Sequence, residues 1–454
     1  MADKKHTDIC LYGEKEAASF LINSGREFGY ATEYIANIDD LLESPLEPSL
    51  LFVIEDVSSE IALDEIIQAG RQQFPHAYLI ILVEKELTKE KQAFFEKQGV
   101  RMTLLVSEAK TGKLPFLINQ ILRANYIPLK SMDLVANSEL GFDIYHLLPQ
   151  RKKFLKILRR GDSISSDRLA RLLENPEFYV DRADLMAYKK FVEATSDLSA
   201  KGLAKRCRAN FVALQSEFAS LALQVTDEAS RLSFHEGQEL LIRCQKLCED
   251  LLANLSEFPR AWDIVNSSAI GEFGSLERAP AVAAFSGIFA LRGDMKRVDE
   301  IMMASLIVDM GLLTISNSIS QAIRDGRIQS ISVDEKSVYH RVPLKSLDLA
   351  LGRKLAIPEK LRNIVIAVYE NADGTGFPNK YNDFKIPIEA QMIRFAKEFD
   401  SRIQVRLGRA RRDPLEVIQD IISDQSMRGV FSQDFFRLLS EKILPSTLTE
   451  LGTT

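Results

Sequence analysis

The sequence predicts a multidomain chain that opens with an α/β domain, continues through a small β-rich α+β module and then turns helical. Three observations carry this. Residues 7–125 alternate short apolar runs with amphipathic stretches, residues 128–192 hold strand-like segments joined by turns, and residues 195–258 keep helical spacing without a proline. At 454 residues the chain is long enough for two or three separately packed cores.

In the first domain, assigned to residues 1–126, the runs Asp8–Tyr12, Leu50–Ile54, Tyr78–Val83 and Met102–Val106 read as strands. Helical-period stretches lie between them, such as Lys89 to Gly99 with the glycine as a stop. Short buried runs alternating with helices imply a parallel sheet covered on both faces, a flavodoxin-like arrangement. The pattern resembles a response-regulator receiver domain, in which an aspartate ending the third strand is phosphorylated. Asp56 falls there, in Glu55-Asp56-Val57, and is the candidate phosphoacceptor. Phosphoryl transfer also needs Mg²⁺ held by an acidic pair after the first strand, because the charge on the moving group must be offset. That turn reads Tyr12-Gly13-Glu14 and offers one carboxylate at most. The family's Ser/Thr and Lys positions are replaced by Val83 or Glu84 and by residues around Ser107. The resemblance therefore implies a pseudo-receiver used for dimerisation or docking.

The second module, residues 127–194, places strands at Gly141–Tyr145 and Lys153–Leu158, and a turn at Arg159–Asp162. A helix over Ser165–Leu173 with a serine cap and a strand at Glu177–Val180 follow. Arg151–Lys153 and Arg159–Arg160 read as solvated hairpin ends. Residues 195–258 form a helical connector, with apolar residues at i, i+3, i+4 spacing from Phe211 to Leu255. A dimer stalk and a bundle packed on the last domain fit that pattern equally well.

A formal net charge of -6 argues against general nucleic-acid or anionic-membrane binding. No apolar run reaches the roughly 18 residues of a membrane span, and no signal-peptide core follows the charged N-terminus. Four cysteines form no disulfide framework at this length, so the chain reads as cytoplasmic. Cys244 and Cys248 share a helix face, either as core residues or as a metal or redox pair. The five histidines, at 6, 76, 146, 235 and 340, fit no ligand spacing, which makes a histidine-built metal centre improbable.

From about 245 to 441 the chain carries an ordered set of motifs. They are Cys248–Leu255 followed by Phe258-Pro259, the stretch Asp294–Gly311, and the loop Glu370-Asn-Ala-Asp-Gly-Thr-Gly-Phe-Pro378. Then come Ile386–Ala390, Phe399-Asp400, Arg406 with Arg409, and Gly429-Val430-Phe431 opening a final helix. This set resembles the HD-GYP family of cyclic-di-GMP phosphodiesterases. The first stretch looks like its entry helix, Asp294–Gly311 like the helix ending in its His-Asp motif, and residues 370–378 like its Glu-x-x-Asp-Gly-x-Gly-Tyr-Pro loop. The resemblance implies an all-α helical bundle over residues 259–454. It also implies where metal ligands would stand, and most are missing. The first histidine falls near Gly274–Leu276, where none exists; the His-Asp pair reads Val308-Asp309; a catalytic lysine aligns near Leu312 or Leu313. Another histidine aligns with Val342 before Pro343, with His340 two residues early. The paired histidines read Val368-Tyr369, and the last aspartate is Lys397. A phosphate-gripping arginine aligns with Gln391.

Valine cannot coordinate a metal and a lysine ammonium repels one, so the resemblance implies no metal cofactor and no catalytic residues. Asp309 is a vestigial ligand, and Lys397 either neutralises it or points to solvent. Glu370, Asp373, Gly374, Gly376, Phe377, Pro378, Arg406 and Arg409 are candidate residues for a ligand or partner, with a purely structural loop as the alternative. Arg402, Arg406, Arg409, Arg411 and Arg412 form a basic segment suited to phosphate or carboxylate, or else a solvated helix end. The expected function is a non-catalytic signalling scaffold that binds protein partners, GGDEF-domain proteins among them, with a homodimer as a candidate assembly. The alternatives are a cyclic-di-GMP receptor without hydrolysis and a residual hydrolase.

Overall fold

The computed structural model describes residues 5–13, 15–27, 29–56, 61–122, 125–148, 153–226, 234–257, 261–268, 276–404 and 412–445. They divide into two compact units. One comprises Met1–Asn125, Leu223–Ser233 and Leu313–Gln321; the other comprises Tyr126–Ala222, Phe234–Leu312 and Ala322–Thr454.

In the first unit, strands β1 (Lys5–Tyr12), β2 (Thr32–Ile35), β3 (Leu46–Ile54), β4 (Tyr78–Val83) and β5 (Met102–Leu105) form an all-parallel sheet in the order β2-β1-β3-β4-β5. Side chains alternate along each strand, so the two faces bury different residues. Cys10, Tyr12, Leu51 and Val53 join one core with Ile66, Ile67 and Phe95 from the covering helices. Ile9, Leu11, Leu50, Phe52 and Ile54 join the other with Leu21, Leu117 and Ile118. Where both faces are covered the strand is apolar along its buried run, as at Ile9–Tyr12, Leu50–Ile54 and Leu79–Val83, which is why four of the five strands were legible. The exception is β2, an edge strand of half-polar composition that pairs only with β1. Met102–Leu105 ends one residue short of the expected strand, because Val106 begins a helical turn. The unit is discontinuous in sequence: Gly112 N–H donates to the Ile315 carbonyl at 3.0 Å, and Leu223 packs on the second core.

In the second unit, strands β6 (Tyr126–Lys130), β7 (Ile144–Leu148), β8 (Lys153–Leu158) and β9 (Glu177–Asp181) form an antiparallel sheet in the order β6-β9-β7-β8. The strand expected at Gly141–Tyr145 starts only at Ile144, and β6 was not anticipated, since Pro128 weakens its strand signal. Ser165 caps the Ser166–Leu173 helix by accepting from Arg168 N–H at 3.3 Å. Fully buried Asp133 accepts from Tyr188 Oη at 2.8 Å and Arg208 Nε at 3.0 Å, fastening this module to the Ala200–Val225 helix. The connector resolves into that helix and Phe234–Glu257; residues 227–233 of the expected continuous helix lie outside the described residues.

The rest of this unit is helical. The Ala279–Arg292 helix is apolar around its whole circumference, as a helix at the centre of a bundle must be. Its Phe285 and Phe289 form an aromatic cluster of tilted and edge-on contacts with Trp262, Phe395 and Phe399. The helix expected over Asp294–Gly311 is shorter, Val298–Ile307, because Asp294 and Arg297 adopt left-handed backbone conformations. The final helix begins at Gln433 under a Ser432 cap, not at Gly429. Among the described residues no helix is long and apolar enough to cross a membrane.

Candidate functional site

Three chain segments converge on Asp309. The aspartate sits in the turn that ends the Val298–Ile307 helix, where Gly311 N–H donates to Ser346 Oγ at 2.8 Å and that hydroxyl reaches the Val308 carbonyl at 2.8 Å. Tyr369 follows the Glu359–Ala367 helix and donates its hydroxyl to Asp309 Oδ1 at 2.6 Å. Lys397, midway along the Ile388–Ile403 helix, places its ammonium in contact with Asp309 Oδ2. One carboxylate oxygen is thus held by a phenol and the other by a cation. Burial, then the neighbouring Asp309 charge, pushes the Tyr369 phenol well above its usual range, so it stays a neutral donor.

Three of the positions where the resemblance expects metal-binding histidines, Val308, Val342 and Val368, are packed as core, 0%, 0% and 1% exposed. Among the described residues no group of three or more His, Cys, Asp and Glu side chains is arranged to hold a metal. The donor set around Asp309 is an ammonium, a protonated phenol and the Arg394 guanidinium, none of which ligates a cation. A metal centre does not fit these residues.

These side chains line a cavity of about 280 Å³. Its floor is a stack of rings: Phe377 lies between His340 (centroids 4.3 Å, planes 13°) and Tyr369 (5.0 Å, 11°). Lys397 and Arg394 stand over the Tyr369 ring at 5.2 and 5.3 Å. Arg278 and Asp400, both nearly buried, also line it, the arginine donating to the carboxylate from Nε at 3.2 Å and from a terminal nitrogen in a fork.

Of the loop residues 370–378, Phe377 alone lines this cavity. Glu370, 2% exposed, accepts the backbone N–H groups of Asn379 at 2.6 Å and Tyr381 at 2.9 Å. Asp373 accepts from Thr375 N–H at 2.9 Å and from its hydroxyl at 2.6 Å, while its own N–H reaches Gly429 O at 3.0 Å. Gly374 has φ +79°, and a Cβ on Gly376 would lie 2.2 Å from Asn371 N. Pro378 leaves the loop through a cis peptide. The carboxylates that read as ligand candidates therefore hold the loop's own backbone.

Gln391, 4% exposed, is also committed internally, its Oε1 accepting Ser432 N–H at 2.8 Å. Arg402 and Arg412 pair with Asp424 and Asp420. Arg406, Arg409 and Arg411 lie outside the described residues, as do Glu14, Val57, Phe258, Pro259 and Gly274. Asp56 is exposed just after β3 and its charge helps to raise the Tyr12 phenol, after burial. Cys244 and Cys248 are buried free thiols whose pKa values burial pushes up, which leaves them unreactive.

Sequence reasoning missed the roles of Tyr369, Arg278 and Arg394. For Arg394 a signal existed, since it precedes Lys397 by three residues and must share its helix face. Arg278 and Asp400 are 122 residues apart and gave none.

Residues 247–429 match the family model described as HD domain, so the C-terminal helical part carries an HD-type domain. No curated protein matches the chain. Among solved structures it is similar to Bd1817, an HDGYP protein from Bdellovibrio bacteriovorus, at 17% identity and a TM-score of 0.45, covering 70% of this chain and 99% of that one.

Proposed function

We propose that this chain is a non-catalytic signalling protein of cyclic-di-GMP pathways, in which a degenerate HD-GYP-type domain and a pseudo-receiver bind protein partners. The observation that carries it is the occupation of Asp309 by Lys397 and Tyr369. A multi-metal hydrolase must present its carboxylates to cations that generate hydroxide; here the remaining carboxylate is neutralised by the chain itself. The knitted 370–378 loop supports a stable surface, because Glu370 and Asp373 fix its backbone. For the first unit, the 2-1-3-4-5 strand order and an exposed Asp56 after β3 support the pseudo-receiver reading.

The test is incubation of the full chain with cyclic-di-GMP and excess Mn²⁺ or Fe²⁺, followed by chromatography. The expected result is no linear dinucleotide; turnover above a protein-free blank overturns the reading. Binding of purified GGDEF-domain proteins, read by interferometry, tests the partner class, and its loss on replacing loop residue Lys380 would locate the contact. A cyclic-di-GMP receptor is the second reading, favoured by Arg278, Arg394 and Lys397 on the cavity wall. Its test is metal-free calorimetry with the dinucleotide.

A further inference from the structure

We propose that the cavity beside Asp309 binds a small ligand carrying one oxyanion group on a flat apolar body, with Arg394 gripping the oxyanion and Lys397 as its second donor. The proposal rests on the non-catalytic reading and names the ligand class of the same site.

The charges lining the cavity balance in number, but their hydrogen bonds do not. Arg278, Arg394 and Lys397 face Asp309, Glu398 and Asp400. Arg278 is committed to Asp400 and Lys397 to Asp309. Arg394 differs: its ion pair with Glu398 is 3.7 Å long, beyond hydrogen-bond range. Glu398 is shared with Arg402 at 3.9 Å. Arg394 Nε is buried and finds no hydrogen-bond partner among the described residues. Nε is closed to solvent, so the terminal nitrogens, on the part of the side chain that stays exposed, are the donors open to the cavity, and an oxyanion is the group that matches their planar arrangement.

The neighbourhood supplies the rest of a binding site. Arg394 and Lys397 lie on one helix face over the same tyrosine ring, so an oxyanion between them would meet donors from both. Two further donors of the Lys397 ammonium are left after its bond to Asp309. The stacked rings of Tyr369, Phe377 and His340, with Leu312 and Ile323, line the space with apolar surface. At about 280 Å³ the space falls just below the roughly 300–1,000 Å³ of pockets that enclose drug-sized ligands. A single ring bearing a carboxylate or a phosphate suits it better than a dinucleotide.

Calorimetry of the full chain with benzoate and with phenyl phosphate tests this, alongside Arg394→Gln, Arg394→Lys and the surface control Arg437→Gln. The expected result is one-to-one binding of at least one probe, weakened tenfold or more by Arg394→Gln, less by Arg394→Lys and not at all by Arg437→Gln. Which probe binds distinguishes a carboxylate from a phosphate ligand. Far-UV spectra and cooperative melting like the parent's show that the variants fold. No binding of either probe, or equal affinity in Arg394→Gln, overturns the proposal. Turnover of cyclic-di-GMP would overturn the non-catalytic reading instead, so the two failures are distinct.

Discussion

Tyr369 Oη donates to Asp309 Oδ1 at 2.6 Å, taking the oxygen that Lys397 does not reach. The carboxylate, 8% exposed, is thereby satisfied on both sides without leaving the protein. Its stability consequence is asymmetric. Removing one partner of a buried ion pair strands the other, whereas removing both charges is often close to neutral.

Lys397→Met should therefore cost about 3 kcal/mol of unfolding free energy, the lower part of the range for breaking a buried pair, since Tyr369 still serves one oxygen. Adding Asp309→Asn should recover most of that loss. Urea unfolding of the two variants decides it; a Lys397→Met transition that overlays the parent would remove the pair from the account of stability.

Arg278 and Asp400 expose 4% and 5% of their side chains, less than the Asp309 pair does. Arg278→Met leaves the nearly buried Asp400 uncompensated and should cost about 3–5 kcal/mol. The same denaturation measurement checks it, and a loss smaller than that of Lys397→Met would contradict the ranking by burial.

Glu370→Gln exchanges a carboxylate that accepts two backbone N–H groups for an amide that can accept through one oxygen only. About 1.5–3 kcal/mol is expected for a hydrogen bond to a charged group. The loss should appear locally, as faster amide exchange at Asn379 and Tyr381. Unchanged protection of both amides would show that the loop is held by other contacts.

Desolvation, then repulsion from Lys336 and Lys380, lowers the His340 pKa below its usual 6.5. The folded state binds that proton less readily than the unfolded chain. The stability contributed by neutral His340 is thus complete above about pH 6.5 and is lost as the pH falls through the lower folded value. An NMR titration should find the imidazole midpoint below 6.5, and His340→Gln should flatten that part of the stability profile. A midpoint at or above 6.5 contradicts this.

Legibility in the sequence followed how local the cause was. Strands β1, β3, β4 and β5 were visible because each carries a mostly apolar buried run, while β2 is short and half polar and β6 is interrupted by Pro128. The exchange of an expected ligand for Lys397 was visible as a charge reversal at one position. That Glu370 and Asp373 would turn inward to the loop's own amides was not, because the sequence gives residue types and not their directions. The Arg278–Asp400 pair depends on a contact between distant segments, and nothing local to either residue announces it.

The cation beside Asp309 is covalently part of the chain, present at one equivalent from synthesis onward. It cannot be chelated, exchanged for another ion, or changed in charge by oxidation. The melting temperature should accordingly be the same in EDTA as in millimolar Mn²⁺, and a chelator-induced shift would reveal a cation bound elsewhere. A pocket built this way is assembled independently of metal supply.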